Sequence, residues 1–308
     1  MDCSIVESKK YPDFFLISTT DFFYPLVEDP YLQGKVAAAN VLSDMYALGV
    51  VDIDNVLMIL AASRDMPADQ RRIVTKLMMR GFNDLCVEAG TKVTGGQTVL
   101  NPWPIIGGVA KSITKEEDFI RPETSVAGDV IVLTKPIGTQ LAVNAREWVA
   151  DEQKWDQVKD LGVSIEDVDR AFKISVGSMS RLNRTGARLM HKYNAHGATD
   201  VTGFGILGHA DNLALNQKAK VELRIHTLPI IKHMKILADR YKYFHLMEGY
   251  SAETSGGLMV LLPKENAQAF CDEVSRIDKW PAWIIGDVLS AKDKSCATIA
   301  PDVKVIEV

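Results

Sequence analysis

The chain has 308 residues, 47% of them apolar, enough to bury the cores of roughly two domains. A formal net charge of -5 argues against a general nucleic-acid surface, and no apolar run is long enough to cross a membrane. Cys3, Cys86, Cys271 and Cys296 form no C-x-x-C pair and no zinc spacing with histidine. With no signal-peptide pattern at the start either, they read as free thiols in the cytosol.

Phe14 to Thr20 is a strand candidate ending at Asp21. Asp29-Pro30 reads as a capped helix start, and that helix should run to about Leu48 and stop at Gly49. Val56 to Ala61 is a short apolar run, hence a buried strand. A long amphipathic helix follows Met66-Pro67 and ends near Gly90. Lys92 to Thr98 should be a strand entering a glycine turn at Gly95-Gly96, and Ile105 to Ala110 another strand. Residues 113–127 are polar and form the expected linker between an N-terminal domain, 1–112, and a C-terminal domain, 128–308.

In the second half a strand is expected from Asp129, helices over 139–149 and within 164–192, and a strand over Val221 to His226. A helix over 229–240 comes next. Gly256-Gly257 then leads into a strand, Glu265 to Val274 is helical, and Trp283 to Val288 and the tail are strands. The alternation of strand and helix in two halves gives an α/β fold class with no long-period repeat.

Three aspartates stand out. Asp21 ends a strand. Asp44 shares a helix face with Asn40, four residues earlier. That face borders the buried side and carries no Lys or Arg, so a bound cation would answer the carboxylate's need for counter-charge. The ordinary alternative is that Asp21 caps a turn and Asp44 finds a donor elsewhere in the fold. Asp200 precedes Val-Thr-Gly-Phe-Gly-Ile-Leu-Gly-His209, a glycine-spaced turn into a helix whose free N–H groups could suit phosphate. Thr94-Gly-Gly-Gln-Thr98 and Thr254-Ser-Gly-Gly257 are further glycine turns, neither with the P-loop pattern. There is no Gly-x-Ser-x-Gly elbow. Cys3 lies beside Asp2, whose charge would raise its thiol pKa. His196 and His209 read as structural.

Together, Thr20-Asp21, Asn40-Val-Leu-Ser-Asp44, Thr94-Gly-Gly-Gln-Thr98, Asp200-Val-Thr-Gly-Phe-Gly-Ile-Leu-Gly-His209 and Glu253-Thr-Ser-Gly-Gly257 resemble the selenophosphate synthetase (selenide, water dikinase) family along the whole chain. Gln97 to Trp103 and Arg181 to Thr185 look most like its eukaryotic branch. The wider superfamily includes aminoimidazole ribonucleotide synthetase. The resemblance implies a two-domain fold, the N-terminal domain forming an intersubunit β-barrel in a homodimer and the C-terminal one an α/β sandwich. It implies that ATP, selenide and water give selenophosphate, AMP and phosphate, for selenocysteine synthesis and its enzymes. ATP would be bound with Mg²⁺, and K⁺ is a further candidate ion. Asp2, Asp44 and Asp200 match the family's metal-binding aspartates. Asp2, Asp21, Asp44, Gly95, Gly96, Gln97 and Thr98 match its ATP contacts.

The departure is at the start. The family carries a nucleophilic Cys or selenocysteine and a Lys in a glycine-rich N-terminal segment. Neither Cys3 nor Lys9 and Lys10 match that pair. The expectation is therefore no catalytic nucleophile in this chain, and a polypeptide that folds and dimerises but turns over poorly. A non-catalytic ATP-binding paralogue and a ribonucleotide- or thiamine phosphate-using cousin are the alternatives.

Overall fold

The computed structural model describes residues 2–308. The described chain divides into two compact units. The first takes the chain up to Ile120 together with Ser180–His191, and the second takes Arg121–Met179 with Lys192–Val308.

The first unit contains β1 (Ser4–Glu7), β2 (Phe14–Phe23), α1 (Pro30–Ala47), β3 (Asn55–Ser63), α2 (Ala68–Glu88), β4 (Val93–Asn101) and β5 (Ile105–Lys115). The strands form one sheet in the order β1-β2-β5-β3-β4, antiparallel except where β4 runs parallel to β3. The start of α1 follows from its sequence. The Asp29 carboxylate accepts from the Tyr31 and Leu32 N–H groups, and Pro30 lacks the N–H that would otherwise go unmet there. Ala37, Ala38, Val41, Leu42, Met45 and Tyr46 of α1 are fully buried in this unit's core. With 12 of its 18 residues buried, polar Asn40 and Ser43 among them, α1 is a central helix of this unit.

Two expectations change here. Gly95-Gly96 is no turn: β4 runs unbroken through both. Gly96 has φ +145°, and a side chain there would put its Cβ 1.9 Å from Met58 O on β3, so Gly96 serves close strand approach near a register shift beside Leu57. The expected linker, 113–127, also begins inside β5, which extends through Lys115 into a short 3₁₀ turn at Glu116–Asp118. Residues 180–191 add Leu182 and Ala187 to the first unit's core. Asn183 Nδ2 donates to Ser43 Oγ (2.9 Å), and His191 Nε2 donates to Gly49 O (2.8 Å). Helical periodicity shows that a segment has an apolar face but not which core receives it, so this return was invisible in the sequence.

The second unit holds β6 (Asp129–Leu133), α3 (Thr139–Trp148), α4 (Glu152–Lys159) and α5 (Ile165–Met179). The next helix, α6 (Arg184–Lys192), lies almost wholly in the segment counted with the first unit. Then come β7 (Gly197–Asp200), α7 (Gly205–Leu215), β8 (Val221–Ile230), α8 (Met234–Arg240), β9 (Leu258–Pro263), α9 (Lys264–Asp278), β10 (Trp283–Ser290) and β11 (Cys296–Glu307). The sheet order is β11-β8-β10-β6-β9-β7. Its core joins Ile131 and Leu133 of β6, Leu141 of α3, Ala210 of α7 and Leu223 of β8. The helix expected over 229–240 starts only at Met234, because β8 keeps its ladder through Ile230 beside β11. The fold class, two mixed α/β units, is as the sequence implies.

Candidate active site

In the first unit, β2 and α1 bring acidic and amide groups together by a match of repeats. Alternate strand residues share a face and advance about 6.6 Å, while residues four apart on a helix share a face and advance about 6 Å. Thr19 and Asp21 on β2 therefore meet Asp44 and Asn40 on α1 as two rungs. Thr19 Oγ1 donates to Asp44 Oδ2 (2.5 Å), and Asn40 Nδ2 donates to Asp21 Oδ2 (3.2 Å). Asn40 is buried, and Asp44 and Asp21 are half-buried. Burial raises the Asp21 pKa above its ordinary value. β5 comes close enough to support Asp21 because residue 107 is glycine: a Cβ there would lie 2.0 Å from Asp21 O.

Asp2, just ahead of β1, completes this end of the unit. Ligand oxygens of Asp2 and Asp44 lie within 4.8 Å of one another. Two half-buried carboxylates this close repel, and an all-oxygen donor pair suits a hard divalent cation such as Mg²⁺. The residues present thus fit the metal that the resemblance implies. Thr19 is a contributor that sequence reading missed; its signal was its place two residues before Asp21, on the same strand face. A pocket of about 380 Å³ in this unit, lined by Asp52, Asp54, Glu117 and Asp118 with His191, includes none of Asp2, Asp21 or Asp44. Its carboxylates would repel phosphate.

Gly95, Gly96, Gln97 and Thr98 are all exposed on β4. Because β4 ends the sheet order, alternate N–H groups along it face away from the ladder.

In the second unit Asp200 is the last residue of β7 and only 2% exposed. It is paired across the ladder with Leu258 of β9. The chain beyond it is pinned on several sides. Val201 N–H donates to Gly257 O, Glu253 N–H and Gly205 N–H both donate to Thr202 O, and Leu207 N–H donates to Gly249 O. So the start of α7 is less open to phosphate than the sequence implied, since two of its first N–H groups are taken. The third glycine stretch packs against this turn: a Cβ at Gly256 would lie 2.0 Å from Val201 O. Glu253, which the sequence marks only as the first residue of that stretch, has a role of its own. Its carboxylate accepts from Gly138 N and from Thr139 N and Oγ1 at the start of α3, although burial pushes its pKa up to about 7. His196 Nδ1 lies 2.8 Å from Asp129 Oδ2. Among the described residues no helix is long and apolar enough to cross a membrane.

The class of protein follows from both halves. Residues 2–113 match the family model described as AIR synthase related protein, N-terminal domain, and residues 126–297 match the C-terminal domain. A solved hydrogenase maturation protein HypE in complex with ATP has the same fold, with a TM-score of 0.66 and 15% identity over 92% of this chain and 81% of its own. Within that class, the chain is 55% identical to selenide, water dikinase of Dictyostelium discoideum, over 100% of this chain and 85% of that one. It is 51% identical to selenide, water dikinase 2 of Mus musculus, over 95% of this chain but only 65% of that longer relative. The chain belongs to the selenide, water dikinase family.

Proposed function

We propose that this chain is the core of a selenophosphate synthetase, a kinase-type enzyme that converts ATP, selenide and water into selenophosphate, AMP and phosphate. The observation that carries the reading, beside membership of the family, is the pair of half-buried carboxylates of Asp2 and Asp44, braced by Thr19 and, one rung along, by Asn40 on Asp21.

Asp2, Asp44 and Asp200 are proposed as the protein's Mg²⁺ ligands. Bound Mg²⁺ would neutralise phosphate charge as it develops in phosphoryl transfer. The protein's own share is positional. Thr19 and Asn40 hold Asp44 and Asp21 in fixed rotamers. Asp21 and the edge-strand stretch Gly95, Gly96, Gln97 and Thr98, through the amides that face away from the ladder, contact the nucleotide. A chain with net charge -5 can collect a polyphosphate in this way only with cations.

A homodimer is proposed through the first unit's sheet. Val6, Leu16 and Ile113 are exposed by 51%, 41% and 63% and form one cross-strand row on β1, β2 and β5. Such a row wants a partner surface. That none of the four cysteines is in a disulfide supports a cytoplasmic setting.

The test is ³¹P NMR of the chain with ATP, selenide and Mg²⁺. Whatever the rate, turnover should give selenophosphate with AMP and phosphate. ADP as the nucleotide product would sink the assignment in favour of a cousin kinase.

A further inference from the structure

His209 stands on the second turn of α7 and is 7% exposed. Thr202 N–H donates to its Nε2 at 3.0 Å, and Thr202 Oγ1 is 3.1 Å from the same nitrogen. A backbone N–H can only donate, so Nε2 carries the lone pair and Nδ1 the proton. The Phe204 ring, 5.4 Å from the imidazole by centroids, packs beside it.

This contact falls two residues after Asp200. Of the bonds that fix the turn there, those from Val201 N–H and those to Thr202 O run between backbone groups. The Thr202 N–H bond instead ends on a side chain. The direction in which the strand leaves Asp200 therefore depends on an acceptor held by α7.

We propose that His209 is a positioning residue for Asp200: its neutral imidazole fixes the Val201–Thr202 peptide and so aims the Asp200 carboxylate. The inference rests on the reading of Asp200 as a metal ligand. His209 touches neither metal nor substrate in this role.

The test uses Mn²⁺ as the probe, titrated by electron paramagnetic resonance in the presence of a non-hydrolysable ATP analogue, below the melting temperature of each variant. His209→Leu fills the space but accepts nothing, whereas His209→Gln offers an amide oxygen. His209→Leu should weaken Mn²⁺ binding about 10-fold, the lower end for residues that orient ligands, and His209→Gln should recover most of that loss. The ¹⁵N spectrum of the wild-type ring should show Nε2 unprotonated and Nδ1 protonated. Asp200→Asn is the control. If Asp200→Asn leaves Mn²⁺ binding intact, the ligand reading fails. If Asp200→Asn weakens it while His209→Leu matches wild type, the positioning role alone is overturned. Equal losses for Leu and Gln, or a ring protonated at Nε2, also overturn it. Should His209→Leu not fold, His209→Met takes its place in the same comparison.

Discussion

Asp44→Asn should have opposite effects on the empty and the nucleotide-loaded protein. Two unit charges 4.8 Å apart, the outer limit for the Asp2 and Asp44 oxygens, repel by about 3.5 kcal/mol at an effective dielectric of ~20. Both groups are half-buried, and solvent screening brings this to about 1 kcal/mol. Asparagine keeps an oxygen for the Thr19 hydroxyl, so the substitution removes the charge and keeps that hydrogen bond. The metal-free variant should melt a few degrees higher than wild type, at about 3 °C per kcal/mol for a unit of this size. With Mg²⁺ and ATP at about 100 times Kd, wild type gains about 2.7 kcal/mol. The variant should gain almost none of it, so its melting temperature falls below that of wild type.

Differential scanning fluorimetry across a Mg²⁺–ATP titration reads both arms. The reasoning fails if the metal-free variant melts lower than wild type, which would mean that Asp44 is a stabilising acceptor and not one of a repelling pair. It fails equally if Mg²⁺–ATP raises both proteins alike, because Asp44 would then contribute nothing to the site.

Much of the fold was legible because local signals were strong. Asp29-Pro30 and Gly49 bracket α1 within two residues of its ends, since a cap and a stop report on backbone groups next to them. The apolar runs of β3, β6 and β9 read directly as strands. α4 went unseen because only Val158 along it is buried, too few apolar positions to set up a helical period. Gly95-Gly96 misled in an instructive way. Two glycines signal a turn or a close approach equally well, and which applies is decided by Met58 on β3, far away in sequence.

The site divides along the same line. Asp44 and Asn40 were readable as a pair because helix spacing alone puts them on one face. That Asp44 takes the Thr19 hydroxyl and Asn40 reaches Asp21 depends on how β2 lies across α1, which no spacing rule contains. Asp200 was readable as a candidate from the glycines after it. The tie from Thr202 to His209 was not, although the two are only seven apart. A histidine on the inner face of a helix looks the same whether it fills space or accepts a hydrogen bond.

The remaining predictions probe packing, assembly and titration. Gly81→Ala would place a Cβ 1.9 Å from Tyr31 O on α1, and since backbone cannot yield, α1 and α2 must part. The cost should be about 3 kcal/mol in urea unfolding, and a loss under about 1 kcal/mol would show that the helices slide freely. Ile113→Lys should halve the mass seen by analytical ultracentrifugation while leaving the fold intact, because Ile113 is 63% exposed; a persistent dimer would place the interface elsewhere. The last prediction concerns acid. Burial lowers the His209 pKa from 6.5 to about 4, so between those values the unfolded chain takes a proton that the folded ring refuses. Stability should then fall as pH drops through this window and level off below about 4. Between pH 7 and pH 5 the loss is about 2 kcal/mol. His209→Gln cannot titrate, so it should lose that part of the slope in urea unfolding at the two pH values. An unchanged slope would mean that the ring charges in the folded state, where a protonated Nε2 could not accept from Thr202 N–H.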